Sequence, residues 1–208
     1  KLIRMMSHEV NNSVGAVRSL LESLLAYAPQ VGEDDRDDFR NALTISSARI
    51  DALNRFMAAF ADVVRIPPPH RTPVAMADLI GRVAGLLRPE LQQRNIALSL
   101  ALEPLTVSVD ESQIEQVVLN VFRNAVEAVG RDGSISVTLQ DRVLTIGDSG
   151  PGIADTARGE IFTPFFTTKR DGRGLGLTIV QEILANHGLP FALENRPGGG
   201  AQFRIELA

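Results

Sequence analysis

Residues 162–180 read "FTPFFTTKRDGRGLGLTIV". Apolar residues and threonines lead into a basic cluster, Lys169, Arg170 and Arg173. A Gly172-Arg-Gly174-Leu-Gly176 run follows and opens an apolar segment with helical spacing. Glycine weakens regular structure unless the backbone needs unusual dihedrals or something must come very close to it. The basic cluster points to an anion as the visitor, with a nucleotide phosphate as the candidate. Gly174, Gly176 and the start of the following helix can present unpaired N–H groups to phosphate oxygens. A glycine-rich loop alone is weak evidence, so its neighbours must decide.

Upstream, "LTIGDSGPGI" (144–153) is a strand ending in Asp148, followed by Gly150 and Gly152. A carboxylate there can accept a hydrogen bond from an exocyclic amine, and the glycines let a flat base approach the backbone. The same letters are also good turn material, so a plain turn stays open. Further back, "QVVLNVFRNAVEAV" (116–129) carries Asn120 and Asn124 four residues apart, hence on one helical face. Asparagine is a middling helix former, and its carbonyl oxygen suits a hard cation such as Mg²⁺, which needs few protein ligands beside phosphates and water. Two solvent-facing amides are the alternative. Taken together and in this order, the three motifs are strong.

The frame around them is that of a soluble protein. The 208 residues are 44% hydrophobic and 22% charged, long enough for one or two cored domains. A net charge of -4 gives no reason to expect nucleic-acid or anionic-membrane binding, and no run is apolar enough to span a bilayer. The absence of cysteine excludes disulfides and thiolate metal sites and fits a reducing, cytoplasmic compartment. The chain opens in a helical pattern without an initiator methionine, as a fragment of a longer protein would.

Two parts differ in character. Over 1–65, Ile3, Met6, Val10, Val14, Val17, Leu21 and Leu24 form one apolar seam. Phe39, Leu43, Ser46, Ile50, Leu53, Met57, Phe60 and Val64 form a second. Pro29 and Gly32 break the chain between them, so a helical hairpin is expected. A hairpin leaves an apolar stripe, to be buried in a dimeric four-helix bundle or against the chain's own second domain. Residues 66–72 are a proline-rich linker, and domain motion is expected about Pro67–Pro69. Over 73–208, strands are expected in "NIALSLAL", "LTVSV", "GSISVTLQ", "RVLTIGDS", "PFALEN" and "AQFRIEL", with helices near Met76–Arg88, Glu111–Val129 and Gly174–His187. Short connections in "ALEPLTV" and "LQDRVL" favour an α+β sandwich with a largely antiparallel sheet.

The order of motifs resembles the ATP-binding domain of sensor histidine kinases, within the superfamily that includes DNA gyrase, the mismatch-repair ATPases and a heat-shock chaperone. The resemblance covers roughly 73–208. "NVFRNAVEA" is similar to the family's N box, "DSGPG" to its G1 box, "FTPFFTTK" to its F box and "GRGLGL" to its G2 box. It implies that 162–180 is an ATP lid anchored by "PFF". It also implies a nucleotide site made of Asn120, Asn124, Asp148, Gly150, Gly152, Thr167, Thr168, Lys169, Arg173, Gly174, Leu175, Gly176 and Thr178. Mg²⁺ would be held by Asn124 with help from Asn120.

The resemblance then directs attention to "SHEVNN" (7–12), similar to the family's H box. His8 lies two residues from Met6 and Val10, about 160–200° around the helix from the seam, and so faces solvent. It is implied as phosphoacceptor, with Glu9 polarising it. Glu9-x-x-Asn12 resembles the signature by which bifunctional members dephosphorylate their partner, a response regulator. His70 and His187 have no such context. Ser13 stands where many members have proline, and Glu127 where many have a basic residue. "HEVNNS", "NAVEA" and "PFFTTK" look most like the nitrogen-regulation-type branch. A hydrolytic ATPase of the superfamily would carry glutamate at the position of Asn120, and an inert nucleotide-binding scaffold is disfavoured by the intact motif set.

Overall fold

A computed structural model of the chain describes the backbone at 2–64, 66–157, 159–164, 166–167 and 174–207, with side chains from 14–51 in its helical part. The chain divides into two compact units, Lys1–Arg65 and Ile66–Ala208.

The first unit is helical. Helix α1 runs Leu2–Ala26, a 3-10 turn spans Ala28–Gln30, and helix α2 runs Glu33–Val64. The turn is closed by Arg36, whose guanidinium donates to the carbonyls of Val31 (3.1 Å) and Pro29 (3.4 Å). Glu33, Asp34 and Asp35 occupy the first turn of α2, where the helix dipole favours negative charge. Val14, Ala28 and Leu43 are buried, but Val17, Leu20, Leu24, Leu25 and Ile45 remain exposed.

The second unit contains β1 (Thr72–Ala75), α3 (Met76–Gln93), β2 (Ala97–Leu102), β3 (Thr106–Val109) and α4 (Glu111–Val129). After these come β4 (Ser134–Gln140), β5 (Val143–Asp148), α5 (Gly176–His187), β6 (Phe191–Asn195) and β7 (Ala201–Glu206). Five strands form a sheet in the order β2-β4-β5-β7-β6, and β1 pairs β3 separately. Alternation sets the layers. Ile135, Val137 and Leu139 of β4, Leu144 and Ile146 of β5, and Phe203 and Ile205 of β7 all point into one core. That core is shared with Leu79, Ile80 and Val83 of α3, Val118 and Phe122 of α4, and Ile183 and Leu184 of α5. Apolar burial on this scale, about 25 cal/mol per Å², holds the helices on the sheet.

The expected hairpin in "LQDRVL" is present. Asp141 and Arg142 both take positive φ (49° and 60°), and β4 pairs antiparallel with β5. The reading of "ALEPLTV" as a similar connection is corrected. β3 pairs antiparallel with β1, and β2 pairs in parallel with β4. Glu103-Pro104 lacks the glycine or asparagine of a tight hairpin, whereas α4 supplies the crossover that a parallel pair requires. Helix α3 also outlasts its expected end at Arg88. It carries Pro89 inside and continues to Gln93, with Leu87 and Leu91 both buried.

The proline-rich linker is tied down at several points along its length. Thr72 already belongs to β1, the Gln113 amide donates to the Pro67 carbonyl (2.9 Å), and the His70 N–H donates to the Asp110 carboxylate (2.9 Å). His187 is correspondingly not incidental. It is 3% exposed, its Nε2 accepts from the Asp110 N–H (3.1 Å), and its Nδ1 lies 2.8 Å from the Ile183 carbonyl. Those partners place a proton on Nδ1 and leave Nε2 as the acceptor. Arg71 adds a hydrogen bond to the His187 carbonyl (2.8 Å).

Asp110 is also the N-cap of α4, accepting from the Gln113 N–H at 3.1 Å. Burial works against its ionisation, but hydrogen bonds from the His70 N–H, the Ser112 hydroxyl and the Gln113 N–H outweigh burial and hold the carboxyl below its ordinary range. A depressed folded pKa contributes stability above the unfolded value of about 4, lost as pH falls through the lower folded value. Asp110→Asn keeps a good cap but cannot titrate, so its urea-unfolding free energy should fall less between pH 5 and pH 2 than wild type's. Asp110→Ala should lose about 1 kcal/mol at pH 7. Parallel pH profiles for wild type and Asp110→Asn would remove Asp110 from the acid response.

Candidate functional site

Strand β5 delivers Asp148 to the wall of a cleft of about 120 Å³. The residue is 6% exposed. Its Oδ1 accepts from the N–H groups of Gly150 (2.8 Å) and Ala201 (3.3 Å), while Oδ2 has no partner among the described residues. Val121, Ala125 and Ala128 of α4, Ile146, Ile153, Leu177, Leu193 and Phe203 line the rest. An apolar slot holding one oriented carboxylate oxygen suits a flat heterocycle that donates an amine hydrogen. Gly152 lines it too, at φ 77°, and turns the chain so that Ile153 forms a wall.

Asn124 lines the same cleft, one helical turn from Asn120. Both Nδ2 atoms are buried without a hydrogen-bond partner, a costly state for amides facing protein alone. The first residue of α5 closes the other side. A Cβ added at Gly176 would stand 3.9 Å from Asn120 Oδ1 and 4.0 Å from Asn124 Nδ2. Ahead of it, Gly174 takes φ 63° and Leu175 is buried, and no side chain caps the first turn of α5. Helix N–H groups with two amides facing them make a seat for a phosphate chain. The same amides present carbonyl oxygens to a hard cation when rotated about their last bond, and O and N are not distinguished by shape. Among the described residues no cluster of three or more His, Asp or Glu could hold a metal, so a cation here would share its shell with phosphate oxygens, as Mg²⁺ does. The residues fit.

Asn120, Asn124, Asp148, Gly150, Gly152, Gly174, Leu175 and Gly176 therefore come together. Thr178 has another task. It is buried and its hydroxyl donates to the Phe162 carbonyl (3.3 Å), tying α5 to the segment that leads into the lid. Phe162 packs edge-on against Phe191 (5.4 Å between ring centres), which stacks on Phe203. Among the described residues Phe162, three residues ahead of the "FF" pair, is the aromatic side chain of this segment that packs against the core. Thr167 has interactions within the chain. Thr168, Lys169 and Arg173 lie outside the described residues, as do the side chains of His8, Glu9 and Asn12. Sequence reasoning missed Ile153 and the β6–β7 turn, though "RPGGGA" (196–201) was the available signal: Gly198, Gly199 and Gly200 all take positive φ.

Residues 109–208 match the family described as "Histidine kinase-, DNA gyrase B-, and HSP90-like ATPase". The catalytic domain of histidine kinase ThkA is 34% identical with a TM-score of 0.61, covering 66% of this chain and 95% of that one. The chain belongs to the sensor histidine kinase family. The sensor histidine kinase ZraS of Salmonella typhimurium is 36% identical over 97% of the chain, which spans 44% of that relative's length. The structure of histidine kinase ThkA in complex with response regulator protein TrrA is 25% identical with a TM-score of 0.65, covering 99% of this chain and 60% of that one.

Proposed function

We propose that the chain is the catalytic part of an ATP:protein-histidine phosphotransferase of the nitrogen-regulation-like branch, with 1–65 as dimerisation and phosphoacceptor hairpin and 73–208 as ATP-binding domain. One observation carries it. The buried, unpartnered amides of Asn120 and Asn124 face the uncapped start of α5 beside a buried Asp148 with one oxygen free.

Asp148 Oδ2 accepts from the adenine amine, and the apolar wall from Val121 to Phe203 excludes water from the base. Asn124, helped by Asn120, would hold Mg²⁺, which when bound would neutralise phosphate charge. Gly174, Gly176 and the first N–H groups of α5 take phosphate oxygens, with Lys169 and Arg173 reaching from the lid. Glu9 draws the proton from one nitrogen of His8, and the other attacks phosphorus, so an N–P bond forms as the O–P bond to ADP breaks. The aspartate of a response regulator then takes the phosphoryl group. ThkA, crystallised with TrrA, supports that class of partner. No helix among the described residues is long and apolar enough to cross a membrane.

Val17, Leu20, Leu24, Leu25 and Ile45, which a single copy leaves exposed and a four-helix bundle would bury, support a homodimer. The test is incubation with γ-labelled ATP, with light scattering on the same sample. Acid-labile, base-stable label on a dimer supports the proposal. Free phosphate alone would point to an ATPase, and neither product to a scaffold.

Asn12, four residues after His8, belongs to the reverse direction. Its amide can align a water in-line with a phosphoryl group on the regulator's aspartate, by orientation and not as a base. In Asn12→Ala, autophosphorylation should persist while dephosphorylation of the regulator slows at least about tenfold, or 1.4 kcal/mol. An unchanged rate would take Asn12 out of that step.

A further inference from the structure

The turn joining β6 to β7 lies outside every motif that defines the site, yet its side chains close on the site's backbone. Asn195, the last residue of β6, spends both ends of its amide on one residue. Its Oδ1 accepts from the Ile153 N–H (2.6 Å), and its Nδ2 donates to the Ile153 carbonyl (3.0 Å). The side chain thus imitates a paired strand residue. Ile153 is a wall of the cleft. A Cβ on Gly152 would stand 2.8 Å from Asn195 Oδ1, so glycine there is what admits the clamp.

The next residue grips the other end of the same loop. Arg196 Nη1 donates to the Asp148 carbonyl (3.2 Å). Its guanidinium crosses Gly147, where a Cβ would stand 3.0 Å from Nη1. The turn itself is set by the Arg196 N–H to the Gly200 carbonyl (2.9 Å). It brings Gly200 so near Asp148 that a Cβ would sit 1.9 Å from the Asp148 carbonyl oxygen. From there the Ala201 N–H donates to Asp148 Oδ1. Both carbonyl and carboxylate of Asp148 are therefore held from the β6–β7 turn, as is the residue five positions on.

We infer that Asn195 and Arg196 are positioning residues that fix the Asp148 carboxylate and the Ile153 wall for base selection. The inference rests on the nucleotide reading above and adds the parts that set its specificity. Neither side chain touches the base; each acts through a backbone group that does not move when its partner is in place. Cutting the clamp should let the slot widen at Ile153 and the carboxylate turn, which weakens binding and blurs the choice of base together.

Asn195→Ala, Asn195→Asp and Arg196→Ala in the 208-residue chain are compared with wild type by calorimetric titration with ATP and with GTP. Thermal melting without nucleotide and hydrogen exchange at the Ile153 amide complete the set. Asn195→Ala should weaken ATP on the order of tenfold, shrink the ATP-over-GTP ratio by a similar factor and speed Ile153 exchange. Asn195→Asp, which keeps the acceptor for the Ile153 N–H, should lie between alanine and wild type on all three. Arg196→Ala should shrink the ratio with Ile153 exchange unchanged. An unaltered ATP-over-GTP ratio in folded variants overturns the clamp, whether affinity holds or falls equally for both nucleotides. Failure of wild type to bind ATP, with Ile153 exchange still faster in Asn195→Ala, overturns the nucleotide reading and with it base selection by the clamp.

Discussion

Chain labelled from γ-labelled ATP should lose all acid-labile label on His8→Ala while its ATP binding stays as in wild type. The chain holds three histidines, and chemistry separates them. His187 is buried with both ring nitrogens committed, Nε2 to the Asp110 N–H and Nδ1 to the Ile183 carbonyl, so it offers no lone pair to phosphorus. His70 is exposed, but its neighbourhood of three prolines has no carboxylate next in sequence to draw a proton from the ring. His8 has Glu9 directly after it and lies within α1, where the helix from Leu2 to Ala26 sets its spacing from the apolar seam. The residues proposed to hold the nucleotide all belong to the other unit, which has its own core, so ATP affinity is expected to stay as in wild type. His70→Ala should label normally and serves as the control. Persistent label on His8→Ala would give the phosphoryl group to another residue.

Local chemistry made most of the candidate site legible in advance. Asn120 and Asn124 stood out because two amides at i, i+4 interrupt an apolar helix, and Asp148 because a strand ends in a carboxylate beside two glycines. Each is a statement about neighbours in sequence. Ile153, Asn195 and Arg196 were hidden for the opposite reason. "ENRPGGGA" reads as an ordinary turn until β7 lies beside β5, with Gly147 opposite Gln202, which brings residue 201 next to Asp148. The same holds for the fold. The β4–β5 hairpin was readable from Asp141-Arg142, whereas the β1–β3 pair joins residues over thirty apart across a helix and a strand. His187 looked incidental because its partner, Asp110, is 77 residues away.

Asn124→Ala should carry the second large effect, the loss of Mg²⁺-dependent nucleotide binding by at least about a hundredfold. Even residues that only support a metal's ligands cost 10–100-fold when changed, and an octahedral ion with one or two protein ligands has no spare. The substitution is well suited to the question. Alanine is the best helix former, so α4 keeps its backbone, and the Val118 and Phe122 packing on its other face is untouched. Removing an amide whose Nδ2 is buried without a partner also relieves a desolvation cost in the nucleotide-free protein. Two measurements should therefore move in opposite directions. The nucleotide-free melting temperature should hold or rise, while the affinity for Mg²⁺-ATP collapses toward that measured with chelator. Asn124→Asp, which keeps an oxygen ligand, should retain much of the metal dependence that alanine loses. A residue kept only for packing would give the reverse pattern, with stability falling and binding following it. Equal Mg²⁺-ATP affinity in wild type and Asn124→Ala would remove Asn124 from the metal's shell and leave its unpartnered amide without a purpose.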